Sequence, residues 1–152
     1  MNKITQLIEI CRDGTVIDEA MTIEDVIALE GNEKVVEVRW RNGSHSISIR
    51  DDCGLWVKIV AGGSFVAVSR YDESGKHAMF VFNANGTQRF QLPNVQIING
   101  KSEDGEFLWI EEPYTKSANV FRAIFERVSD HSQWWLDINA ESGEAVRVHE
   151  AR

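Results

Sequence analysis

Seven glycines, each preceded by Asn, Asp or Ser, cut this chain into short apolar stretches. No other feature constrains its fold as strongly. The pairs are Asp13-Gly14, Asn42-Gly43, Ser74-Gly75, Asn85-Gly86, Asn99-Gly100, Asp104-Gly105 and Ser142-Gly143. Glycine reaches positive φ without steric cost, and Asn and Asp tolerate it better than most residues. The intervening segments are rich in Val, Ile, Phe and Trp, the pattern of antiparallel hairpins. Strand side chains alternate between faces, so a proposed register can be checked against the apolar positions. A two-residue turn at Asn42-Gly43 sets Trp40 opposite His45, Val38 opposite Ile47 and Val36 opposite Ile49, all on one face. Arg39 with Ser46 and Glu37 with Ser48 then occupy the other face. A second hairpin about Asn85-Gly86 pairs Val81 with Phe90 and Met79 with Leu92 on one face. On its other face it pairs Phe82 with Arg89 and Phe80 with Gln91, so both faces are expected to be partly covered.

The C-terminal third alternates in the same way. In VFRAIFERV, Phe121, Ala123 and Phe125 share a face; in QWWLDIN, Trp134, Leu136 and Ile138 do. One helix is expected, over Thr22–Glu30. Thr22 is a good N-cap with Asp25 three residues on, Ile23, Val26 and Ile27 form an apolar stripe, and Gly31 sits at the C′ position. The spacing of the turn glycines has no constant period, which argues against a propeller or solenoid. The expected fold is mainly β: an antiparallel sandwich or strongly curved sheet of about ten short strands, with one short N-terminal helix, in a single domain over residues 1–152.

Charge narrows the function. With 24 acidic and 16 basic residues the net charge is −8. Such a surface repels nucleic acid and anionic membrane and attracts basic partners. No run approaches the ~18 apolar residues of a membrane span, and MNKITQLIEICRDG is too polar, at Thr5, Gln6 and Glu9, for a secretory signal. Cys11 and Cys53 form no C-x-x-C pair and read as two free buried thiols in a reducing cytoplasm. Phosphate-binding loops, nucleophile elbows and zinc-protease motifs are all absent. His45, His77, His131 and His149 are scattered without a partner at ligand spacing. No catalytic residue, metal ligand or cofactor site is therefore assigned.

The stretch SEDGEFLWIEEPY, Ser102–Tyr114, places acids at both ends of an apolar block. Phe107 with Trp109 and Leu108 with Ile110 cover both faces of a strand, which marks a central strand. Its acidic ends lie about 20 Å apart at ~3.3 Å per residue. Glu103, Asp104 and Glu106, expected in a turn, and Glu111, Glu112 and Tyr114 at the far end are the candidate partner-binding residues. Small, acidic, β-rich and without catalytic motifs, with EDVIALEGNE and SEDGEFLWIEE as its acidic stretches, the chain resembles the immunity proteins of bacterial toxin systems, of the contact-dependent growth inhibition or colicin type. That resemblance implies a cytoplasmic protein, monomeric when free, that binds and blocks a basic toxin domain such as a nuclease. The alternative is a non-catalytic β-barrel or sandwich that binds a small ligand or peptide, with Trp56, Trp134 and Trp135 lining a cavity.

Overall fold

The structure is a computed structural model that describes residues 3–18, 20–22, 24–25, 34–60, 62–111 and 119–151. Among these, thirteen strands form three antiparallel sheets. The first holds β1 (Ile4–Cys11), β2 (Val16–Asp18), β3 (Val35–Asn42) and β4 (His45–Arg50), in the order β2-β1-β3-β4. The second holds β5 (Leu55–Ile59), β6 (Phe65–Tyr71), β7 (His77–Asn83) and β8 (Gln88–Gln91) in sequence order. The third runs β13-β12-β11-β10-β9, from β9 (Val95–Ile98), β10 (Lys101–Glu111), β11 (Val120–Arg127), β12 (Gln133–Asn139) and β13 (Ala145–Glu150). The mainly antiparallel architecture expected from the turn pattern is thus present, with more strands than the ten anticipated. Of the expected helix, Glu24 and Asp25 are helical, and Thr22 and Asp25 exchange side chain-to-backbone bonds at 3.1 Å in a reciprocal cap. Residues 26–30 lie outside the described residues.

The second sheet is the shared layer. On one of its faces Val66, Val68, Phe80 and Phe82 pack with Ile4, Val38, Trp40 and Ile49 of the first sheet. On the other, Ala67, Met79 and Val81 pack with Phe107, Phe121, Phe125, Trp134, Leu136 and Ile138 of the third. Strict alternation along β6 and β7 therefore feeds two separate cores, which is why their sequences are apolar at nearly every position. Trp40, 1% exposed, is also tied across the layers by its indole N–H, which donates to the Ala84 carbonyl at 2.7 Å. The third sheet carries a buried ion pair of its own. Arg122 donates to Asp137 at 2.7 and 3.1 Å, Arg147 lies 3.4 Å from the same carboxylate, and the Arg122 guanidinium stacks 4.7 Å from the Trp135 ring centre.

Four local expectations are not met. The first hairpin pairs Trp40 with Ile47, Val38 with Ile49 and Asn42 with His45, two residues away from the expected register. The apolar face is unchanged, because a two-residue slip preserves alternation. The turn is centred on Gly43-Ser44, with φ +63° at Gly43, so glycine takes the first central position, as in a II′ turn. Asp104-Gly105 is not a turn at all. It lies inside β10, where pairing passes from β9 to β11. Gly105 is there for space: a Cβ would sit 2.3 Å from the Phe125 ring. Finally, β10 carries a bulge between Phe107 and Ile110, so Phe107 and Ile110 share the core, and Trp109 turns away to donate to Glu111 at 2.8 Å. The second hairpin keeps its expected Val81–Phe90 and Phe80–Gln91 pairs, but a bulge sets Phe82 opposite Gln88 instead of Arg89.

Candidate partner-binding surface

The strand β10 is central in its sheet, as its two apolar faces require, but its acids do not form two free tips. Glu103 lies 3.7 Å from Arg127, which also binds Asp130. Asp104 is exposed, and its neighbours across the sheet are Val95 and Val128, themselves exposed at 48% and 62%. Glu106 accepts from the backbone N–H of His77 at 2.8 Å, while the His77 ring bonds the Leu108 carbonyl at 2.8 Å. This carboxylate fastens β7 to β10. Glu111 accepts from Trp109 and stands opposite Arg122 in the register. Glu112 and Tyr114 lie outside the described residues. The geometry thus gives three of the four described acids a structural task and leaves Asp104 as the outward one.

A different surface gathers more of what recognition needs. A groove of about 610 Å³ opens between the first sheet and the edge strand β5, lined by Glu9, Lys34, Val35, Gly54, Leu55, Trp56, Val57 and Tyr71. Trp56 is 47% exposed beside it. Gly54, at φ +117°, leaves room that a Cβ would take: it would stand 3.2 Å from the Tyr71 ring and 3.4 Å from the Lys34 side chain. The Lys34 ammonium sits 5.8 Å from the Tyr71 ring centre, and Tyr71 meets His77 edge-on at 4.2 Å. Burial raises the Tyr71 pKa. Beyond Tyr71 the surface continues into a second hollow, of about 440 Å³, whose rim includes Asp51, Asp72, Lys76 and Glu106.

Glu9 is the anomaly in this groove. It pairs with Val38, a fully buried residue of the β3 core face, so β1 turns a carboxylate toward the apolar side of its sheet. Among the described residues that carboxylate has no hydrogen bond and no ion pair, and burial alone pushes its pKa above the ordinary value. Nor is it an edge device, since β1 lies between β2 and β3.

Neither a family model nor a curated protein matches the sequence. A solved structure does: a chain in the structure of Tne2 in complex with Tni2 aligns at a TM-score of 0.91 and 30% identity, over 98% of this chain and 99% of that one. At that identity and coverage the chain belongs to the same family as the chain it matches in that complex. The other sequence candidates are structural. Neither Cys11 nor Cys53 is in a disulfide, and Cys53 is only half-buried. His45 is exposed opposite Asn42, away from Trp40. Arg127 and Ser132 both donate to Asp130 and hold its pKa low, so this serine and aspartate serve a turn. Among the described residues no three His, Cys, Asp or Glu side chains converge as a metal site. Of the rings named for a cavity, Trp134 is core and Trp135 stacks on Arg122, while Trp56 alone lines the groove. Glu9 was missed. Its signal in LIEIC was an acid on the same strand parity as Leu7 and Cys11, legible only once the pairing with β3 is known.

Proposed function

We propose that this chain is an immunity protein: it binds a cognate toxin domain and blocks it, with no catalysis of its own. The observation that carries the reading is the alignment, over nearly the whole of both chains, with a chain of the Tne2–Tni2 complex, a toxin–immunity pair. The net charge of −8 supports the further point that the partner presents a basic rim. Opposite charge steers encounter and raises the association rate, an effect that salt screens. Asp104 on the β10 surface and Asp51 and Asp72 beside the groove are placed for such steering. We place it in the cytoplasm, where thiols stay reduced and where a cell must protect itself. The sequence resemblance adds nuclease chemistry on that basic toxin domain. A small-ligand or peptide binder would use the same Trp56 groove.

The test is to express the product of the reading frame adjoining this chain's own, as the candidate toxin, in bacteria, with and without the chain. Growth restored by co-expression, a stable complex, and association that slows as salt rises are the expected results. Arrested growth with no complex at low salt would contradict the reading and leave the groove to a small ligand.

A further inference from the structure

We infer that the groove between β1, β3 and β5 receives a lysine or arginine side chain of the toxin, which pairs with Glu9 while its stem lies against Trp56 and Leu55. This rests on the immunity reading and names the anchor within it. A carboxylate taken from water without a counter-charge destabilises its fold, and proteins ordinarily pair or hydrogen-bond such groups. Here the chain does so elsewhere: buried Asp137 has Arg122 and Arg147, and Glu37 has Arg39, Ser48 and Arg50. Glu9 has none among the described residues, and Lys34, the one base in the groove, is placed over the Tyr71 ring. Position, chemistry and shape then agree on one occupant. An apolar groove floored by Gly54, with a half-exposed indole beside it and an uncompensated carboxylate within it, fits a long aliphatic stem ending in a cation. A neutral apolar side chain would bury Glu9 further without pairing it, and an acidic one would be repelled. The −8 charge of the whole chain selects the same sign of partner.

Calorimetric titration of the adjoining-gene toxin domain into wild type, Glu9→Gln, Trp56→Ala and Asp104→Lys tests this. Removing one member of a desolvated ion pair is expected to weaken binding at least ~30-fold for Glu9→Gln. Trp56→Ala is expected to weaken it about tenfold, and Asp104→Lys to slow association with less than about a threefold loss at moderate salt. Alanine variants of the toxin's Lys and Arg residues identify the occupant: one of them should cost nothing further in the Glu9→Gln background. Glu9→Gln binding within about twofold of wild type overturns the inference while leaving the immunity reading intact. So does a loss confined to Asp104→Lys, which would place the anchor on β10. No binding by wild type overturns the immunity reading, and the anchor with it.

Discussion

Glu37 and Glu9 sit on adjacent strands of one sheet, one residue apart in register and on opposite faces. Both leave bulk water, and their surroundings treat them in opposite ways. Glu37, 8% exposed, accepts from Arg39, from Ser48 at 3.1 Å and from Arg50 at 3.3 Å. Those donors, Arg39 first, pull its pKa below the ordinary value against the opposing pull of burial. Among the described residues Glu9 has burial and nothing to offset it, and its pKa rises. The difference separates an acid whose counter-charge stands beside it in the chain from one that has none among the described residues. Asp137, 1% exposed with two arginines, belongs with Glu37.

The largest effect is expected at Asp137→Ala, which strands a buried arginine: about 3–5 kcal/mol lost in urea unfolding. A loss under ~1 kcal/mol would mean that the pair is not desolvated. Glu37→Ala should cost about 1–2 kcal/mol at neutral pH, since its arginine partners are more than half exposed and can turn to water. Because the folded pKa of Glu37 lies below the unfolded value of 4.5, its contribution is present above pH 4.5 and lost as pH falls through the folded pKa. A pH series of unfolding curves should therefore show the mutant penalty shrinking in acid. Trp56→Ala should change stability by no more than ~0.5 kcal/mol, the ring being nearly half exposed; a core-sized loss would make it a packing residue.

How far the sequence reached follows from what each feature depends on. Turn glycines such as Gly86 and Gly143 were legible because positive φ is a local demand. The apolar face of the first hairpin was legible too, but its register only modulo two, since alternation cannot tell Trp40–Ile47 from Trp40–His45. Gly105 was misread because a glycine needed for close packing against Phe125 looks the same in sequence as one needed for a turn. The acids of β10 were visible as a cluster, but their employment by Arg127, His77 and Trp109 is tertiary. The groove was out of reach for the same reason: it joins residue 9 to residues 34, 54–57 and 71.

With Glu9 costly to the free protein and useful to the complex, the decisive measurement is the thermal midpoint of wild type and Glu9→Gln, each alone and with saturating toxin domain at pH 7. A raised carboxylate pKa means the folded state holds its proton more tightly, so stability falls as pH rises above the unfolded value of 4.5. Glutamine escapes that loss. Alone, Glu9→Gln should melt above wild type at pH 7, with the gap closing in acid. Toxin adds stability in proportion to the logarithm of its concentration over Kd, so with toxin present wild type should gain more, and the gap should narrow or reverse. If Glu9→Gln melts below wild type when free, the carboxylate has a partner within the chain. If toxin raises both midpoints equally, the groove is not the anchor.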